Sequence, residues 1–218
     1  MLKSTKDSAM KGRTQAINQM KALVVTAPVK LRAVLRGLTT NRLAARCTKW
    51  RHGQLGTPTA AAKYALRSLA RRYVQLTQEI EALDAQLARL TAAFAPALME
   101  SFGIGPDTAA ALLVTAGSNP ERLKSEAAFA ALCGVSPVPA SSGKTNRHRL
   151  NRGGDRQANA ALYRIVIVRL RYHESTRTYF QRRMEEEKTK TEVIRCLKRY
   201  VAREVFSILH DIGERRTA

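Results

Sequence analysis

The sequence predicts an all-α protein, a long coiled-coil helix joined to a compact helical domain, on three observations. Hydrophobic residues are 44% of the 218, much of that alanine, while aromatics are only 6%. Alanine favours packed helices, whereas sandwiches and barrels draw on β-branched and aromatic side chains. Apolar residues also recur at steps of three and four rather than in alternation. The exception is the stretch 135–150, where Pro137 and Pro139 forbid helix and a short hairpin is the one strand expected.

The elements follow in order. Residues 1–10 are polar and are expected to fray. Ala16, Ile17, Met20, Leu23 and Val24 then mark a helix that Pro28 interrupts. A short helix around Leu31–Leu35 should end at Gly37, and another should run from an Asn41 cap to about Trp50. Thr57-Pro58 is a strong helix start, a cap followed by proline in the first turn. Leu66, Leu69, Tyr73, Leu76, Ile80, Leu83, Leu87, Leu90 and Phe94 then form an unbroken heptad seam. A seam of this length reads as a coiled-coil arm or as one long helix lying on its own domain. Its partner is either the N-terminal helices or a second copy of the chain.

After Pro96, a short helix, Gly103-Ile104-Gly105 and a second helix form a helix-hairpin-helix pattern. Gly103 and Gly105 let the backbone turn, and free N–H groups at the next helix start can hold a phosphate; small hairpins of this kind also serve as packing devices. Ser125 caps a short helix through Leu132. A long helix begins near Asp155 and reaches about Tyr172. A further helical stretch covers Glu174 to Glu187, and a final helix opens at Thr189 or Thr191 and ends at Gly213. The expected domains are a basic helical segment (1–56), a coiled-coil arm (57–95) and a C-terminal domain (96–218).

Charge narrows the partner. The net charge is +21, and before Glu79 the only acidic residue is Asp7. Such an excess is normally offset by a polyanion, and nucleic acid, DNA first, is the expected one. An anionic membrane ranks second, but no amphipathic helix offers an aromatic-rich face to dock there. Cys47, Cys133 and Cys196 are odd in number and far apart, which suits a reducing, cytoplasmic compartment and offers no zinc spacing.

The stretch Ser141-Ser142-Gly143-Lys144-Thr145-Asn146-Arg147-His148-Arg149-Leu150-Asn151-Arg152-Gly153-Gly154 carries the chemistry. It places two hydroxyls beside a glycine, follows them with basic side chains and ends in a glycine pair. Phosphodiester chemistry needs a nucleophile, donors for the non-bridging oxygens and a backbone that can approach phosphate. Ser142 is the candidate nucleophile, and Arg149 and Arg152 are the candidates to counter developing charge. Lys144, Arg147, His148, Asn151, Gly153, Gly154 and Arg156 are the expected nucleic-acid contacts, with Gly103 and Gly105 of the hairpin. The plain alternative is a flexible basic loop. Two-metal catalysis needs converging carboxylates, and Glu79, Glu81 and Asp84 instead have the spacing of a solvated helix face.

Five segments occur in a telling order: Arg13 to Leu23, Gly103-Ile104-Gly105-Pro106, Ala131-Leu132-Cys133-Gly134-Val135-Ser136-Pro137, Ser142-Gly143, and Leu150-Asn151-Arg152-Gly153-Gly154-Asp155. With them the chain resembles, from about Arg13 to Leu209, the middle and C-terminal parts of the insertion-sequence transposases of the one-hundred-and-ten family, the DEDD class of bridge-RNA-guided recombinases. The resemblance implies DNA transposition through a serine-bearing C-terminal domain, with the catalytic serine at Ser142 and a phosphoserine link to DNA. It also implies a structured guide RNA, a homo-oligomer built through the coiled coil, and an N-terminal RuvC-like domain whose four acidic ligands hold Mg2+. No residue here corresponds to those ligands. The expectation is therefore an incomplete copy that binds no cofactor itself, and the alternative is a non-catalytic basic nucleic-acid-binding or transposase-inhibiting fragment.

Overall fold

A computed structural model describes residues 1–51, 53–117, 123–140 and 148–217, with side chains to 213. Among the described residues the elements are α1 (Leu2–Thr26), α2 (Val29–Leu35), α3 (Thr40–Thr48), α4 (Pro58–Phe94), α5 (Pro96–Glu100), α6 (Pro106–Ala116), α7 (Glu126–Leu132), β1 (Val138–Pro139), β2 (His148–Arg149), α8 (Arg156–Tyr172), α9 (Glu174–Glu185) and α10 (Lys190–Thr217). The fold is all-α, with one two-residue antiparallel pairing where the prolines predicted it: Val138 faces Arg149 and Pro139 faces His148. The chain divides into two compact units, Met1–Gln86 and Leu87–Ala218.

In the first unit α4 starts as its sequence dictates. The Thr57 Oγ1 accepts from the Ala60 N–H at 3.2 Å, and Pro58 fills the first turn, where a missing N–H costs nothing. The seam of α4 finds a partner in its own chain. Lys6 Nζ lies 2.5 Å from Asp84 Oδ1, and Gly12 faces Leu76, so α1 runs antiparallel to α4. Leu66 and Ala70 are fully buried with Met20, Leu31, Leu35, Leu43 and Cys47. Burial pushes the Cys47 thiol up to about 11, so it behaves as a small apolar side chain.

Two expectations for this unit are corrected. Residues 1–10 do not fray; α1 begins at Leu2, because Lys3 pairs with Asp7 one turn on and Ala9 is buried. Asn41 is not the cap of α3, which begins at Thr40; the Asn41 side chain instead accepts a hydrogen bond from Tyr73 Oη at 3.0 Å.

The second unit is organised around α8. Its apolar stripe, Ala158, Ala161, Leu162, Ile165 and Val166, is buried against α6 and α10. Val193, Leu197, Val201, Ala202 and Val205 of α10 complete the core with Phe129 of α7, whose ring lies 6.3 Å from that of Phe206. Ser125 caps α7 as predicted, its hydroxyl accepting from the Ala128 N–H. Gly213 does not end α10, which continues to Thr217. A single glycine costs a helix only about 1 kcal/mol, too little to stop one whose apolar stripe is anchored upstream.

Candidate nucleic-acid interface

The segment carrying the predicted chemistry leaves and re-enters the second unit at one place. Gly134 (φ +63°) follows α7, and Gly154 (φ +80°) precedes α8. A Cβ at Gly134 would stand 2.3 Å from the Gly153 carbonyl oxygen, and one at Gly154 would stand 2.4 Å from the Gly134 nitrogen. Backbone crosses backbone at a separation only glycine permits. The Asp155 N–H donates to the Leu132 carbonyl at 2.6 Å, while its carboxylate caps α8 by accepting from Gln157 N and Ala158 N.

A side-chain lock holds this crossing. Asn159 Nδ2 donates to the Cys133 and Gly134 carbonyls, both at 3.0 Å, and Asn159 Oδ1 accepts from Lys198 Nζ at 2.9 Å. Lys198 is only 7% exposed. Burial, reinforced by the positive charge of Arg195, holds its ammonium below the ordinary lysine pKa. The Cys133 thiol is pushed up to about 12, by burial first and the Asp155 charge second, and is chemically inert.

Above the crossing lies a cleft of about 710 Å³. One wall is Gly134–Pro137 and His148–Asn151, the stems of the basic loop; the other comes from α9, α10 and the turn between them. Arg149, Arg183, Lys188, Arg195, Lys198, Arg199 and Arg203 line it, against Glu186, Glu187 and Glu192. Two of these cations are partly committed: Arg199 and Arg203 both pair with Glu126 on α7, and first Arg203, then Arg199, holds that carboxyl below the usual range. Arg183 pairs with Glu186 at 2.5 Å, whereas Arg195 reaches Glu192 only at 3.9 Å. Tyr179 and Tyr200 meet edge to face at 5.5 Å in the same wall.

The α5–α6 hairpin sits elsewhere in this unit. A Cβ on Gly103 would touch the Arg169 stem and Val168, so this glycine packs on α8. The Gly105 N–H donates to Thr108 Oγ1 at 3.0 Å. The first turn of α6 also carries Asp107, paired with Arg164 at 2.7 Å. Arg169 locks the hairpin down: Nε donates to the Phe102 carbonyl, and both terminal nitrogens reach Glu204 on α10 at 2.7 and 2.8 Å. This is a built packing device whose helix start already faces a carboxylate.

The structure brings together part of the predicted set. His148, Arg149 and Asn151 line the cleft, and Asn151 Oδ1 accepts from the Gly153 N–H at 2.9 Å. Arg152 and Arg156 are exposed beside the crossing. Gly154, expected with Gly153 to approach phosphate, is also required at the crossing, where its Cβ would meet Gly134; a Cβ on Gly153 would approach only Asn151 Oδ1, at 3.3 Å, and both glycines stay solvent-exposed. Ser142, Lys144 and Arg147 lie outside the described residues. Sequence reasoning missed the α10 contribution. Arg195, Lys198, Arg199 and Arg203 recur at helical spacing on the face beside the apolar stripe, a signal that was present and readable.

Among the described residues no three His, Cys, Asp or Glu side chains gather as metal ligands. The residues present therefore do not fit a magnesium site, and no step is derived through one. Among them, too, no helix is long and apolar enough to cross a membrane.

Residues 95–181 match the Transposase IS116/IS110/IS902 family model, a span that contains the crossing, the β1–β2 stems and most of α8 and α9. A 43.6 kDa protein of insertion element IS110 from Streptomyces coelicolor is 31% identical over 147 residues, 66% of this chain and 36% of that protein. A 42 kDa protein of insertion element IS900 from Mycobacterium paratuberculosis is 26% identical over 147 residues, 63% of this chain and 37% of that protein. The chain thus spans little more than a third of the length of these curated relatives. On the family match and these two likenesses, residues 95–181 of the chain are a domain of the IS116/IS110/IS902 family of insertion-sequence transposases.

Proposed function

We propose that this chain binds DNA in the cleft between the β1–β2 stems and α10, and that Ser142 is the nucleophile of a strand-cleaving and rejoining reaction. One observation carries the reading: the stems that flank Ser142 in sequence, 134–137 and 148–151, line one side of a cleft whose facing wall carries six cationic side chains, with Arg149 as a seventh on the stem itself. Phosphate backbone is the ligand that such a wall suits.

In the proposed step Ser142 Oγ attacks a backbone phosphorus. An Oγ–P bond forms, the P–O bond to one strand end breaks, the serine proton leaves and the departing oxygen gains one. Arg149 and Arg152 counter the charge that builds on the non-bridging oxygens. Asp7, Asp84, Asp107, Glu126 and Glu204 are each committed to a cation within this chain. Carboxylates for any magnesium-assisted step are accordingly proposed to come from outside these residues. A guide RNA, and self-association through α4, belong to the same reading; sedimentation velocity reads the latter directly.

The test is a covalent trap. Purified chain is incubated with a labelled DNA in which the scissile phosphodiester is intact and a strand break lies a few nucleotides away, so that the released end diffuses off, and the products are resolved under denaturing conditions. A protein–DNA adduct is expected, lost in Ser142→Ala and kept in Ser141→Ala. An adduct that survives Ser142→Ala sinks the assigned nucleophile. Tight DNA binding with no adduct from any variant would favour the second reading, a basic module that packs DNA without chemistry; the part-commitment of Arg199 and Arg203 to Glu126, a structural use, is what speaks for it.

A further inference from the structure

We propose that the same cleft holds one unpaired nucleotide, its base stacked on Tyr200 and its phosphate on Arg195 and Arg149. The inference rests on nucleic acid being the ligand, but adds that the strand presented there is not paired.

Tyr200 stands on the outer face of α10 with 49% of its surface exposed. Its neighbours hold it as a platform: the Tyr179 ring abuts it at 84°, and the Arg203 guanidinium lies 5.8 Å from its centroid. An isolated exposed tyrosine needs no explanation. This one lines a concave surface, beside an arginine series and opposite a basic hairpin stem. Aromatic rings interleaved with guanidinium groups are what single-stranded nucleic acid uses, because every base offers a π-face and every nucleotide a phosphate.

Paired DNA cannot use this arrangement. In a duplex the base faces are stacked on one another, and only their edges reach the grooves. A ring in the wall of a cleft therefore meets the face of a base only when that base is out of the stack. The volume fits: about 710 Å³ lies within the range of small-ligand clefts, roughly 300–1,000 Å³. The anion arms are in place as well. Arg195 has its nearest carboxylate oxygen, on Glu192, at 3.9 Å, and Arg149 is exposed on the facing stem.

The experiment compares three fluorescein-labelled probes of one sequence by anisotropy with the full chain: a blunt duplex, the duplex with one extrahelical thymidine, and the single strand. The bulged and single-stranded probes should bind more tightly than the blunt duplex by about tenfold, in line with the stacking contribution of one base. Tyr200→Ala should erase that preference, read as the ratio of bulged-probe to blunt-duplex affinity; Tyr200→Phe should keep the ratio. A 5-iodouridine at the unpaired position should photo-cross-link to Tyr200 in the unaltered protein, a readout that needs no variant to fold. Equal affinity for bulged and blunt probes, or a cross-link mapping away from the cleft, overturns the proposal while leaving DNA binding intact. Failure to bind any probe overturns the broader reading. RNA versions of the bulged probe separate the sources: a preference for RNA assigns the nucleotide to a guide strand, a preference for DNA to the element or its target.

Discussion

At residue level, the glycine pair ending the basic loop shows how one residue can carry a demand the sequence does not display. Phosphate approach is a sound physical reason for small residues at Gly153 and Gly154. Gly154 has a second reason, its contact with Gly134 twenty residues upstream, and no local pattern connects the two. Gly134→Ala is expected to lower stability by about 2–4 kcal/mol, since a Cβ would meet the Gly153 carbonyl at 2.3 Å and a positive φ adds strain. Urea unfolding followed by far-ultraviolet circular dichroism measures this; an unchanged midpoint would mean that the crossing is not tight in solution. The same limit explains why Lys198 was overlooked. Its role depends on Asn159, thirty-nine positions away, and a lysine in a basic helix carries no sign that it is buried.

Among the elements, helix starts were the most legible features. Thr57 and Ser125 act as the sequence implies, and α8 starts where expected, with Asp155 as its cap, because a cap and its N–H partners lie within three residues. Helix ends are less so: Gly213 reads as a stop, yet α10 runs on to Thr217. Pairing between elements was hardest. The heptad seam of α4 leaves its partner open, and the Lys6–Asp84 ion pair, buried only on the lysine side, identifies α1 as one. The Arg169–Glu204 clamp, which joins the α5–α6 hairpin, α8 and α10, had no sequence signal at all. Arg169, through hydrogen bonds and charge, holds the Glu204 carboxyl below the ordinary range. A depressed carboxylate stabilises the fold fully above its unfolded pKa, about 4.3, and loses that contribution as pH falls through the folded value. Glu204→Gln should therefore melt lower than the unaltered chain at pH 7, by about 1 kcal/mol given the partial exposure of the pair. Calorimetry should show the gap closing as the pH is taken below about 4. A gap that stays constant down to pH 3 would rule out the ionised clamp as its source.

For the molecule as a whole, the charge of +21 is the broadest cue and the least detailed. It leads one to expect a polyanionic partner, yet it says nothing of where contact is made, because basic residues run through the entire chain. The cleft makes a quantitative claim possible. If about four of its cations each displace a counterion, the logarithm of the DNA association constant should fall with the logarithm of salt concentration at a slope of about −4. Arg195→Ala should make the slope shallower by about 1. A titration between 50 and 300 mM salt measures both. A slope near zero would mean that phosphate neutralisation is not what holds DNA here.

The glycine crossing also bears on how such a chain can change over time. Residues 135–153 begin and finish at the same spot, so replacing them need not disturb the helices beneath. Lengthening an enclosed stretch is thermodynamically mild, about 0.6 kcal/mol for each doubling. The stretch can therefore be exchanged like a cartridge, with its hydroxyl and basic residues varied together, while Gly134, Gly154, Asn159 and Lys198 serve as the fixed socket.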